Sequence, residues 1–223
     1  MTPKILAIDT TTEFGSVALV RGGAVAWETL VRATEGFGQI LFDRIAMALE
    51  SAGWKLSEID CFAAAAGPGS FTGVRVGLAA VKGLAEALGR RAVGVSNLEA
   101  IAWHGTAALR AAVIDARRGQ IYGAVYDSNL NLVSPEVVAA FPEWLAALPA
   151  GDIQLLSTDS AAFGAALAGT RFEKDGICEV PRGLASAIGR IAEARLLAGL
   201  AADPAALDAN YVRRSDAELF WRE

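Results

Sequence analysis

AAAAGPGSFTGVRVGLAAVKGLAEAL, from Ala63 to Leu88, sets an apolar run, a Gly-Pro-Gly turn and a helix end to end. A short apolar run closed by a turn signal reads as a buried strand. The helix is expected over residues 72–88, with Gly89 as its stop. It contains Gly73, Gly77 and Gly83. Glycine inside a helix costs about 1 kcal/mol relative to alanine, so each needs a reason that propensity does not supply. Val74, Leu78, Val81, Ala85 and Leu88 form one apolar face; Gly73, Gly77, Ala80 and Leu84 form a second. A helix apolar nearly all round is covered on several sides, by its own fold or by a partner. Small residues admit another backbone closely, so Gly73, Val74, Gly77, Ala80 and Leu84 are expected to face a partner.

Upstream, residues 4–8, 16–20 and 24–31 read as a buried strand, its hairpin partner and a third strand of the meander. A helix is expected over 39–52, with Leu41, Ile45, Ala48, Leu49 and Ala52 on one face. Ile40 and Met47 share its polar face with Asp43 and Arg44, and Trp54 continues that stripe. Two neighbouring helices with surplus apolar surface favour an interface. Downstream, a strand at 92–95 runs into Ser96-Asn97-Leu98-Glu99, a capping box opening another helix.

Then the pattern restarts. AID at Ala7–Asp9 is echoed by VID at Val113–Asp115, and ALV at Ala18–Val20 by AVY at Ala124–Tyr126, an offset of 106 in both. This predicts two related α/β lobes, 1–106 and 107–223, joined near residues 105–110. The second lobe continues with a Pro-started helix at 143–148, a strand at 153–156, a helix after Asp159 and an Ala-rich helix at 184–200. Its last helices are expected to pack back on the first lobe.

The chain has 223 residues, 53% hydrophobic and 20% charged, with net charge -5. That is globular composition without a general basic footprint for nucleic acid. Cys61 and Cys178, each in apolar surroundings, read as two packed, reduced thiols. The apolar run before Asp9 is too short for a signal peptide, and no stretch approaches a membrane span, so a cytoplasmic protein is expected.

Several short motifs carry two readings each. Asp9-Thr10-Thr11-Thr12 suits a hydrated metal or a phosphate, or is an Asp capping its own turn. Gly67-Pro68-Gly69-Ser70-Phe71-Thr72 opens a helix N-terminus fit for an anion, or is a tight turn capped by Ser70 or Thr72. It matches neither the Walker loop nor G-x-G-x-x-G. Asp115-Ala116-Arg117-Arg118-Gly119 places two cations at a cleft between lobes, or is a solvated basic turn. His104 is the only histidine, which rules out a two-histidine metal site, and it sits where a helix would end. No G-x-S-x-G elbow occurs.

KILAIDTTTEFGSVALV, AAAAGPGSFTGVRVGLAAVKGLA, GVSNLEAIA and VIDARRGQIYGAVYD, in this order, resemble the bacterial TsaB (YeaZ) family over most of residues 4–127. NYVRR at 210–214 is similar to the family's Tyr-Leu-Arg ending. The resemblance implies an actin/Hsp70/sugar-kinase-like (ASKHA) α/β fold of two duplicated lobes. It implies a non-catalytic subunit in making N6-threonylcarbamoyladenosine at position 37 of tRNA, a degenerate paralogue of the catalytic subunit TsaD. The metal motif of TsaD falls where this chain reads EGFGQILFDRIAMAL, without histidine. Implied partners are TsaD as a heterodimer, the ATPase TsaE, and a second copy through the same first-lobe face when TsaD is absent. tRNA is reached only through the complex. No metal and no firmly held cofactor are expected, with ATP or ADP at the interface between subunits. Contacts are expected first at Arg75 and the Gly-Pro-Gly turn, with Asp9, Thr11, Asp115 and Arg117 as further anion or nucleotide contacts. Relatives carry a Gly-Asp-Gly-Ala-like turn where this chain has Ser157-Thr158-Asp159-Ser160-Ala161, which argues against nucleotide binding by this subunit alone. The alternative is an enzyme of the same fold, a nucleotide-dependent kinase or an M22-like glycoprotease.

Overall fold

The computed structural model describes residues 2–213. It holds two five-stranded mixed sheets of matching plan. In the first, β1 (Lys4–Asp9), β2 (Phe14–Arg21) and β3 (Ala24–Arg32) form an antiparallel meander, and β4 (Cys61–Gly67) and β5 (Arg91–Ser96) extend it in parallel beyond β1. In the second, β6 (Leu109–Asp115), β7 (Gln120–Asp127) and β8 (Leu132–Ala140) form the meander, with β9 (Ile153–Ser157) and β10 (Cys178–Glu179) added in parallel beyond β6. This repeated order is the duplicated α/β architecture of the ASKHA fold. Contacts divide the chain into two units. One runs to Ala100 and resumes over Arg182–Ala209; the other holds Ile101–Pro181 and residues 210–213.

In the first unit, α1 (Leu41–Ala52) and α2 (Phe71–Leu88) cover one face of the sheet. Leu41, Ile45, Val74, Leu78 and Val81 pack there on Leu6, Ile8, Phe62 and Ala64. Both helices stop at a left-handed glycine, Gly53 and Gly89, the second of them expected from the sequence. The short α3 (Asn97–Ala102) follows β5 directly. Ser96 Oγ accepts from Leu98 N, and the carboxylate of Glu99 accepts from Arg195.

The opposite face is covered by α5 (Ala185–Leu197), which lies on β1, β2, β4 and β5. Close approach requires Gly189, where a Cβ would stand 2.6 Å from Val20 Cγ2. This helix has no capping side chain of its own. The sheet caps it instead: Ala185 N donates to Ser16 Oγ and Ser186 N to Glu28 Oε1, both at 3.0 Å. Further along, the buried Glu193 accepts from Gly22 N and Gly23 N, the two positive-φ residues of the β2–β3 turn. Arg195 bonds Gly94 O and both oxygens of Glu99.

In the second unit, α4 (Phe141–Ala147) packs Phe141, Trp144 and Leu145 on Val113, Ile121 and Val125. Gly123 gives way to Trp144, whose ring atom would stand 2.5 Å from a Cβ there. The helix expected after Asp159 is only two short 3-10 turns, Ser160–Ala162 and Gly164–Leu167. Gly164 and the left-handed Gly169 interrupt the alanine-rich run, and Phe163 and Leu167 are buried as separate anchors. Pairing also corrects the internal repeat. Ala7 faces Ala18, but Val113 faces Gly123, so β7 is displaced by one residue from the 106-residue echo. Arg117, Arg118 and Gly119 all take positive φ and close the second hairpin one residue shorter. Among the described residues no helix is long and apolar enough to cross a membrane.

Replacing Glu193 with alanine is expected to lower stability by about 2 kcal/mol, because two turn amides lose a charged acceptor. Urea unfolding with an unchanged m-value checks this; an unshifted midpoint would show that solvent replaces the carboxylate without loss.

Candidate functional site

The signature residues meet where β1 ends. Asp9 is 1% exposed, and its Oδ1 accepts from Thr11 N at 2.9 Å and Thr11 Oγ1 at 2.6 Å. Asn97 Nδ2 donates to Thr11 Oγ1 at 2.7 Å, and Asn97 Oδ1 accepts from Gly67 N at 3.1 Å. One buried chain of bonds thus joins the ends of β1 and β4 to the start of α3. Burial pushes the Asp9 carboxyl above its ordinary value of 3.8, against the lowering effect of its bonds from Thr11 and of Asn97.

The Gly-Pro-Gly turn is shaped to the same neighbours. Gly67 takes φ 103, a conformation that favours glycine. Ser70, not Thr72, caps α2 by accepting from Gly73 N at 3.3 Å. Ser70 N donates to Thr11 O at 2.7 Å, and Thr10 Oγ1 donates to Gly73 O at 2.7 Å. A Cβ at Gly69 would stand 2.7 Å from Thr11 O, one at Gly77 would stand 2.7 Å from Thr10 Oγ1, and one at Gly73 would fall on Thr10 O. The small-residue face of α2 therefore receives the β1–β2 turn of the same chain. This corrects the expected partner surface: Val74, Gly77 and Ala80 are buried within the molecule, and Leu84 is half-buried against its core. Of the three glycines within α2, Gly83 alone faces open space.

Other expected contacts divide. Met47 is 47% exposed on α1, while Ile40 packs half-buried against the core. Trp54 leaves the stripe: it packs on the core beneath Lys4 Nζ, 4.7 Å from its ring. Phe42, which the sequence reading passes over, is 57% exposed on the same helix. Phe71 is 44% exposed with the Arg75 guanidinium 3.7 Å from its ring. Cys61 is buried, and burial pushes its thiol up to about 12; Cys178 is exposed, contrary to its apolar sequence context.

The second unit repeats the turn chemistry in the open. Arg117 N donates to Asp115 Oδ1 at 2.7 Å, the same two-residue reach that Thr11 makes to Asp9. Arg213 of the chain's tail bonds Ala116 O at 2.9 Å and Gln120 Oε1 at 2.7 Å; Arg214 of the NYVRR motif lies outside the described residues. Beyond β9, Asp159 N donates to Ser157 Oγ and Ser160 Oγ to Glu179 Oε2. A depression of about 460 Å³ opens beside Ser160, Leu167, Glu173 and Ile177. Its polar side chains are already engaged, Ser160 by Glu179 and Glu173 by Gly169 N. His104 stands just past the end of α3, edge-on to Trp103 at 5.1 Å.

Comparison with known proteins places this geometry. The family model described as TsaD, tRNA N6-adenosine threonylcarbamoyltransferase, matches residues 32–172. The tRNA threonylcarbamoyladenosine biosynthesis protein TsaB of Bacillus subtilis is 31% identical over 157 residues, 68% of this chain and 69% of its own length. The chain belongs to the TsaD family, in its TsaB (YeaZ) branch. The TsaB protein of Escherichia coli is 40% identical over 132 residues, and the match spans 57% of each chain. YeaZ from Pseudomonas aeruginosa has a solved structure that superposes with a TM-score of 0.76 at 27% identity, covering 94% of this chain and 99% of its own.

Two predictions follow from the closure. Gly73→Ala is expected to cost about 3 kcal/mol or more, since backbone must move, whereas Gly83→Ala on the same helix should gain about 1 kcal/mol. Equal effects in urea unfolding would refute the steric account. Asp9 titrates higher when folded than when unfolded, so its protonation favours the fold. That stabilisation is complete below the unfolded value and is lost as pH rises through the folded one. Asp9→Asn, which keeps an acceptor for Thr11, should exceed the native chain in stability at neutral pH. The gap should close below about pH 4; a gap independent of pH would remove the charge from the explanation.

Proposed function

We propose that the chain is a non-catalytic subunit in the synthesis of N6-threonylcarbamoyladenosine in tRNA, holding a TsaD-type catalytic partner on the outer surface of α1 and α2. The observation that carries this reading is the use of the β1–β2 turn. A phosphate or hydrated metal at the end of β1 would need the Asp9 carboxylate and the turn's polar groups. Here Thr11 N and Oγ1 bond Asp9, Thr11 O accepts from Ser70, and the Thr10 backbone lies on α2. What the first unit offers a partner instead is apolar: Phe42 and Met47 on α1, and Phe71 at the start of α2. The names of the relatives supply the pathway, and the single histidine departs from a two-histidine metal site.

TsaE, with ATP or ADP held between subunits, would join this pair. The same surface would close homodimers when TsaD is missing, and tRNA would meet the chain within the complex. The large exposed apolar side chains set the energetic scale, because such anchors dominate most interfaces.

Light scattering on the purified chain, alone and mixed with its host's TsaD, tests this. A one-to-one heterodimer is expected at micromolar concentration. Phe42→Asp or Met47→Asp should weaken it about tenfold or more while leaving the urea midpoint nearly unchanged. No complex, or ATP turnover or peptide cleavage by the chain alone that Asp9→Ala abolishes, would overturn the reading.

A further inference from the structure

A sheet edge carries unpaired backbone groups, and most edges in this chain are blunted. β5 is bridged by Ala202, whose N–H and C=O both bond Ala92. β10 is two residues long, and β8 carries Pro135 and two register shifts. β3 differs: it runs nine residues along the end of the first sheet without proline, and no strand lies beyond it among the described residues. Ala33 N donates to Glu13 O just past the end of the β2–β3 pair. Antiparallel alternation then turns Trp27, Thr29 and Val31 toward β2 and sends the amides and carbonyls of Glu28, Leu30 and Arg32 outward.

These three residues also share one face of the strand. Leu30 is 50% exposed, and Glu28 and Arg32 are exposed on either side of it. Glu28 meets Ser186 N through Oε1, which leaves Oε2 for another donor. Arg32 holds one oxygen of Glu13 through Nε and Nη2, which leaves Nη1 for another acceptor.

We propose that β3 pairs antiparallel with β3 of a second copy of this chain, about a two-fold axis at Leu30. That register opposes Leu30 to Leu30 and Glu28 to Arg32 on both sides of the axis. Each opposed pair exchanges two backbone hydrogen bonds, and the sheets of the two copies become continuous. Charge selects the register. Sliding by two residues opposes Leu30 to a charge, and sliding by four opposes Glu28 to Glu28 or Arg32 to Arg32. The irregularity between Leu19 and Val20 ends the straight edge just before Trp27, so the contact is short. Short contacts are weak, and half-assembly is expected near about 100 µM, well above the micromolar range of the TsaD heterodimer. The pairing uses none of the side chains assigned to the TsaD contact.

The test is molar mass by light scattering from about 1 to 500 µM, on the native chain and on Phe42→Asp, which disables contact through α1 and α2. Both should rise from monomer toward dimer. Adding Arg32→Glu to Phe42→Asp opposes like charges twice and should weaken assembly about tenfold or more. Leu30→Pro removes only an outward amide and should do the same without moving the urea midpoint by more than about 1 kcal/mol. Glu28→Arg alone should also stay monomeric. An equal mixture of the Arg32→Glu and Glu28→Arg chains should regain the dimer, because each then meets its opposite charge. If Glu28→Arg does not fold, the Arg32→Glu and Leu30→Pro chains decide.

A native chain that stays monomeric to the highest concentration would overturn the proposal. Assembly lost in Phe42→Asp but kept in Arg32→Glu would also do so, by placing the second copy on α1 and α2. Folded variants that stay monomeric when mixed would refute the register. Loss of the TsaD heterodimer in Arg32→Glu would assign the edge to that partner instead. Because the heterodimer is measured separately, failure of the edge pairing leaves the scaffold reading intact, and the reverse holds too.

Discussion

The first lobe depends on one close approach, the backbone of Thr10 and Thr11 lying against the first turns of α2. It is closer than any side chain at position 73 allows, and Gly69 and Gly77 clear the space on either side. The bonds that run through it are buried and consecutive, from Asp9 through Thr11 and Asn97 to Gly67. Each such bond contributes only about 1 kcal/mol net, but an orphaned buried group costs about 1–3 kcal/mol, so the network persists whole or not at all. The helix glycines and the burial of the Asp9 carboxyl are both costs against stability. They are tolerated because the approach lets a turn, two strand ends and two helix starts share one set of bonds.

The second face of the same sheet depends on chain that arrives late. Ala7, Val20 and their neighbours are covered by α5, which follows the whole second sheet in sequence. Sequence separation is offset by polar ties at both ends: Ser16 and Glu28 at its N-terminus, Glu193 and Arg195 nearer its C-terminus. Apolar contact alone would let a helix this rich in alanine slide, since its small side chains interlock weakly. Hydrogen bonds to fixed backbone groups set its position along the sheet. A chain ending before Arg182 would leave that face bare.

Where a residue's role is local, the sequence shows it. The meander, α1, β4, α2 and the stop at Gly89 follow from periodicity and glycine placement within a dozen residues. The glycine face of α2 announces that a backbone comes near, but not whose. The answer lies at Thr10, 63 residues away, and composition carries no such address. β8 is masked by Ser134, Pro135 and Glu136, which an edge strand accepts because one side needs no ladder partner. The helix foreseen after Asp159 follows alanine propensity, which two glycines and the anchoring of Phe163 and Leu167 override. Trp54 lies on the right helical stripe and the wrong side of a chain reversal at Gly53, so its ring turns back to the core.

The two copies of the strand-end aspartate show how a duplicated device acquires opposite fates. In both, the carboxylate accepts from the amide two residues on, which fixes the turn without help from elsewhere. After the first copy, β4 leads into an eighteen-residue helix whose glycines let it press on the turn, and Thr10 and Thr11 become buried. After the second, β9 leads only into short 3-10 turns. Without a helix to cover it, that turn could stay exposed, tighten by one residue and accept arginines in left-handed backbone. The same local bond therefore gives a sealed structural joint in one unit and an exposed turn in the other. What differs is the element that follows the next strand.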